Sequence, residues 1–174
     1  MKYANGSFLL IGRKIVPVLA TAALASISCS AFADDLPKSG SISIHSGYHV
    51  NGESINVAEK IAQGHGKNLG ISFNDKGSGP LHLGPTDCFY TFSAAVDPVK
   101  FKGYCTFGDP DGDRIFTEFK GALDSEGYVQ GMHDLDGGTG KYSGIKGSMT
   151  FKCKQMGGNS ELACTQTLTY RLAQ

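Results

Sequence analysis

The chain alternates along most of its length. In "SISIHSGYHV", Ile42, Ile44, Tyr48 and Val50 share one parity, and His45 and His49 take the other. A period of two puts alternate side chains on opposite faces of a strand. "NLGISFN" repeats the pattern with Leu69, Ile71 and Phe73, which are expected to face inward. "RIFTEFKGAL" does so with Ile115, Phe119 and Leu123, leaving Glu118 outward. Near the end, Ile145, Met149, Phe151 and Cys153 alternate with polar residues, as do Leu162, Cys164, Leu168, Tyr170 and Leu172. Gly, Asp, Asn and Pro separate these runs, and long helical periodicity is absent.

Two hairpins can be registered from their turns. A tight turn at Gly158-Asn159 places Cys153 opposite Cys164, Met149 opposite Leu168, Ile145 opposite Leu172 and Gly147 opposite Tyr170. The turn around "VDP" places Cys88 opposite Cys105, Tyr90 opposite Gly103, Phe92 opposite Phe101 and Ala94 opposite Val99. In both hairpins a tyrosine ring is expected to cover the facing glycine. Residues 53–63, "ESINVAEKIAQ", fit a short helix through Ile55, Ala58, Ile61 and Ala62, or a strand through Ile55, Val57 and Ile61. The surrounding strands favour the second. The result is eight or nine strands joined by short turns. Such a meander hides its edges by closing into an antiparallel barrel, here over residues 40–174. The aromatic set Phe73, Tyr90, Phe92, Phe101, Phe107, Phe119, Phe151 and Tyr170 is expected inside. There it either fills the barrel or lines a small apolar cavity.

The first residues read differently. Arg13 and Lys14 precede the apolar run "IVPVLATAALASIS", which ends at Ala31-Phe32-Ala33. This is the form of a secretory signal, expected over residues 1–33 and cleaved before Asp34, with 34–39 as a short lead into the barrel. The run is too short for a spanning helix. Cys29 suggests a lipid-anchored form, but Ser26 stands where a lipobox wants a large aliphatic residue. The full chain has 16 basic and 16 acidic residues. Loss of Lys2, Arg13 and Lys14 leaves 13 against 16, a net charge of −3. That balance gives no nucleic-acid footprint and no polybasic membrane patch. Four cysteines stay in the exported part, and an even number there reads as two disulfides. Of three possible pairings, the strand registers select Cys88–Cys105 and Cys153–Cys164. Periplasm or secretion follows as the expected compartment.

"GGTGKYSGIKGS" (137–148) invites a phosphate-binding reading. A phosphate loop needs its first glycine where Leu135 stands and a Ser or Thr where Tyr142 stands, and then a helix. A strand follows instead. A dinucleotide fingerprint fails at Ser143. The run is better read as a turn and strand entry, with Lys141 as a solvated charge and Gly147 under the ring of Tyr170. "GGTGKYSGIKG" resembles the glycine-rich turn of the dirigent and allene oxide cyclase barrels, which are calycin-like. It resembles more closely small exported bacterial proteins of that barrel type. "FNDKGSGPLH" (73–82) and "GYCTFGDPDGDRIF" (103–116) have counterparts there in the same order. The resemblance spans most of residues 40–152. It implies the barrel; for function it implies either an isomerase acting in an apolar interior or a steering protein. No catalytic residue carries over.

Candidate chemistry is sparse. Asp109, Asp111 and Asp113 in "DPDGD" suggest calcium, but Arg114 and Lys120 stand where an EF-hand loop needs Gly and Glu. A looser carboxylate site, or a solvated turn, remains. His45 and His49 lie on one strand face about 13 Å apart, too far to share a metal. His133 falls inward with Val129 and Leu135 and is a candidate pocket residue. Tyr90, Phe92, Phe101 and Gln166 are the other candidate ligand-binding residues. No Ser-His-Asp or Cys-His arrangement is readable, and no metal or cofactor is expected. Two functions follow. One is a non-catalytic exported barrel binding a small apolar or amphipathic molecule, or an envelope or host component. The other is an isomerase or cyclase acting on a hydrophobic substrate inside the barrel.

Overall fold

A computed structural model describes residues 36–173 apart from Lys60, Val96 and Asn159. The leader assigned to residues 1–33, and Asn159 of the last hairpin turn, lie outside the described residues. Eight antiparallel strands follow one another: β1 (Ser39–Ala58), β2 (Ile61–Asn74), β3 (Gly84–Ser93), β4 (Lys100–Gly108), β5 (Arg114–Leu123), β6 (Tyr128–Gly138), β7 (Lys146–Met156) and β8 (Glu161–Arg171). Each pairs with the next, and β8 returns to β1, so the sheet is a closed barrel. Closure satisfies the backbone groups that edge strands would leave open. The described residues contain no helix long and apolar enough to cross a membrane.

The extended reading holds for residues 53–58 and 61–63. Glu53 to Asn56 pair with Ala62 to His65 across the β1–β2 turn. A paired neighbour decides between two periodicities that a short apolar run cannot separate. Both hairpin registers hold too, with Cys88 opposite Cys105, Phe92 opposite Phe101, Cys153 opposite Cys164 and Met149 opposite Leu168. The ladders stop at Ser93–Lys100 and Lys146–Arg171, just short of the Ala94–Val99 and Ile145–Leu172 pairs.

Both disulfides close as expected, Cys88–Cys105 and Cys153–Cys164. They clasp neighbouring strands, and their sulfurs point into the barrel. Each closes a short loop, so each is expected to contribute about 2–4 kcal/mol by restricting the unfolded chain. Non-reducing peptide mapping should recover these two cross-links. Reduction should lower the denaturation midpoint in two separable increments as each pair is replaced by alanines. A peptide joining Cys105 to Cys153 would contradict both registers.

One strand face is reversed from expectation. Leu69 and Ile71 of β2 are 44% and 48% exposed, whereas Ser72 and Asn74 are buried. Phe73 also faces out, stacked on His45 with ring centres 5.3 Å apart. The cause lies on the neighbouring strands. Tyr48 of β1 lies against Gly70, and Tyr90 and Phe92 of β3 lie against Gly66 and Gly64. Three rings from two sides occupy the interior next to β2, so that strand must present small residues inward. Its aliphatic residues then take the outer face, where β-branched and apolar side chains still suit a pleated surface.

The two tyrosine–glycine contacts are corrected in the same way. Tyr170 does face Gly147, but its ring turns to the other neighbour and covers Gly40 of β1, with Oη 3.0 Å from where a side chain would begin. Tyr90 faces Gly103, yet its ring covers Gly66, and Phe119 of β5 covers Gly103 instead. Gly147 is required for backbone reasons. Its φ is +143°, and a side chain there would meet the Thr169 carbonyl and lie 3.0 Å from the Tyr170 Cα.

The glycine-rich run is a brace at one end of the barrel. It forms a short 3-10 turn, Gly140–Tyr142, between β6 and β7. Gly140 has φ +50°, and a side chain there would strike the Asp113 carboxylate. The Lys141 N–H donates to Asp113 Oδ2 (2.9 Å). The Lys141 ammonium bridges Asp109 (2.8 Å) and Asp111. Asp109 is buried and also accepts from the Leu81 N–H and the Tyr142 hydroxyl. The donors a phosphate would need are thus satisfied by the protein's own carboxylates. Lys141 is not the solvated charge expected from sequence, because its side chain is only 23% exposed. The three aspartates are likewise held by protein donors, and the described residues contain no cluster of three or more potential metal ligands.

Candidate functional site

The barrel is filled at one end and open at the other. Near the Lys141 brace, Ile44, Leu81, Phe107, Ile115, Tyr142, Ile145, Met149 and Leu168 are almost wholly buried. At the end carrying the β1–β2, β3–β4, β5–β6 and β7–β8 turns, the interior widens into a cavity of about 300 Å³. Its walls are Val50, Tyr90, Phe101, Leu123, Val129 and Leu162 near the mouth, and Phe119 and Phe151 deeper in. All four half-cystines line it as well. That wall follows from strand parity, because each opposed cysteine pair sits on the inward face of its hairpin.

His133 forms the floor. It is buried, and Phe107, Phe119 and Phe151 surround it with ring centres 5.5, 5.2 and 5.0 Å away. Its Nδ1 lies 2.9 Å from Thr117 Oγ1. Loss of solvation pushes the His133 pKa down to about 3, so the ring is neutral at physiological pH. A polar strip runs beside it. Ser46 Oγ donates to Gln166 Oε1 (2.7 Å), and Gln166 Nε2 donates to the Tyr48 hydroxyl (3.3 Å). Burial raises the Tyr48 pKa, partly offset by the hydrogen bond from Gln166. Burial raises that of Tyr90 too.

Among the five candidate binding residues, His133, Tyr90, Phe101 and Gln166 meet at this cavity. Phe92 stays at the rim, half-buried over Gly64 and 5.9 Å from the Phe101 ring, outside the cavity lining. Sequence reasoning missed Asn68, because it assigned the wrong face of β2 inward. It also left Tyr48 and the cystines out of the site, although their inward parity was readable.

The wall is mostly apolar, with a few polar groups fixed at its base. That is the usual composition of a site for a small molecule. None of the three titratable groups, His133, Tyr48 and Tyr90, exchanges protons readily near neutral pH. His133 is a weak base at about 3, and Tyr48 is held protonated by burial. No protein-family model and no curated protein sequence matches the chain.

Proposed function

We propose that the protein is an exported β-barrel that binds a small apolar or amphipathic molecule in the open half of its barrel, without converting it. The observation that carries this reading is the cavity of about 300 Å³ lined by aromatic rings over a neutral polar floor. An envelope or host component presenting such a group is a ligand of the same kind. The barrel is of the allene oxide cyclase and dirigent type on the strength of its glycine-rich turn and segment order. Two disulfides fit an oxidising compartment, periplasmic or extracellular.

The isomerase or cyclase reading draws on the same cavity. Where such a reaction proceeds by proton transfer, it needs a group that gains or loses a proton at working pH. The depressed His133 and raised Tyr48 pKa values weigh against it. Native mass spectrometry of protein purified from its own host should show a small co-purifying molecule that is released unchanged on denaturation. Val129→Trp, which fills the mouth, should abolish that adduct while leaving the circular dichroism intact. Release of a molecule chemically different from the one supplied would favour the enzyme. Absence of any adduct, with no thermal shift from apolar compounds, would sink both readings.

A further inference from the structure

We infer that the cavity selects an uncharged ligand carrying a hydrogen-bond donor, and that His133 Nε2 is the atom that receives it. The inference rests on the binding reading above and specifies its ligand class. It starts from charge. Among the described residues no Asp, Glu, Lys or Arg lines the cavity, and His133 stays neutral there. A carboxylate or ammonium entering it would lose its water and gain no counter-ion.

The donor follows from proton bookkeeping at the floor. Thr117 Oγ1 lies 2.9 Å from His133 Nδ1 and 3.4 Å from the Cys105 carbonyl oxygen. The threonine has one proton to give. If it donates to the carbonyl, it accepts from Nδ1–H, and every proton in the chain is used. In the opposite tautomer Thr117 would donate to Nδ1 instead of to the Cys105 carbonyl, and an Nε2–H would face the ring-lined cavity. We assign the first arrangement, with the proton on Nδ1 and a lone pair on Nε2 facing the cavity. On the wall, Asn68 Oδ1 is buried with no hydrogen-bond partner among the described residues, and a small turn of its side chain would bring an acceptor to the cavity. A flat neutral molecule with an N–H or O–H edge matches rings on the sides and the His133 acceptor at the base.

Two isosteric pairs of probes test this by calorimetry or fluorescence titration of the oxidised protein. Indole and benzofuran differ in one N–H. Indole should bind about fivefold tighter, the effect of one net hydrogen bond. Indole-3-carboxamide and indole-3-carboxylate differ in charge, and the amide should bind at least about 100-fold tighter. His133→Phe keeps the ring packing and should erase the indole preference while leaving benzofuran binding in place. Should that variant fold poorly, ¹⁵N NMR of the wild-type imidazole gives an independent answer. Nδ1 should show the protonated shift, and Nε2 should move when indole is added. Equal binding of carboxylate and carboxamide would overturn the charge rule and leave the binding function standing. Equal binding of indole and benzofuran would overturn the role of Nε2. Failure of all four probes would remove the binding function and this inference with it.

Discussion

Asp109→Ala should be the most damaging single substitution at the filled end of the barrel, costing about 4 kcal/mol. Asp109 is only 4% exposed and accepts from three donors: the Leu81 N–H, the Tyr142 hydroxyl and the Lys141 ammonium. Leu81 and Tyr142 are both 0% exposed, so water cannot replace the lost acceptor. Their segments are the β2–β3 loop and the 3-10 turn before β7, and Asp109 itself sits in the β4–β5 loop. One carboxylate thus ties three loops that share no ladder. Lys141→Met removes only the counter-charge, leaving Asp109 with two neutral donors, and should cost about 3 kcal/mol. Asp111 is 55% exposed, and Asp111→Ala should cost under about 0.5 kcal/mol. Chemical denaturation of the three variants should return that order. Equal, small losses for Asp109→Ala and Asp111→Ala would show that the loops hold without the brace.

Acid should act through His133 with nearly as large an effect. Its folded pKa of about 3 lies below the ordinary value of 6.5. Between those values the unfolded chain binds a proton that the folded barrel refuses. Stability from this group is therefore full above pH 6.5 and falls as pH drops towards 3. The slope is about 1.4 kcal/mol per pH unit, and the loss reaches about 3 kcal/mol by pH 4. The carboxylates add their own acid dependence, so the contrast with a variant isolates the histidine. His133→Phe keeps a ring among Phe107, Phe119 and Phe151, and Thr117 retains the Cys105 carbonyl as acceptor. Unfolding free energies measured from pH 7 to 4 should fall less for the variant, by that same amount. Parallel profiles for the two proteins would mean that the imidazole is solvated in the folded state.

Most of the barrel was legible because strand parity and turn chemistry are local. The cysteine pairs met in register once the turns were placed, and the inward positions of β1, β5, β7 and β8 followed from alternation alone. His133 and Gln166 were placed in the interior by the same count. β2 misled because alternation reports where apolar residues lie, not which face the barrel needs. Gly64, Gly66 and Gly70 leave room for rings from both neighbours, so Leu69 and Ile71 are displaced outward. Asn68 was lost to the site for that reason.

The barrel closes with eight strands, and eight or nine runs of alternation, the two disulfides and the turn between β6 and β7 were readable along the chain. These depend on neighbours in the chain or across one hairpin. Tertiary structure alone decided which way each ring leans, because a ring facing a glycine on one strand can equally cover a glycine on the other. It decided that Lys141 is a half-buried partner of Asp109 rather than a solvated charge, since the two are brought together by loops 28 to 33 residues apart in their contacts with the brace. It also decided where filling stops and the cavity begins. That boundary falls at His133, where three phenylalanines from different strands close over one imidazole, and no local pattern encodes the volume left above them.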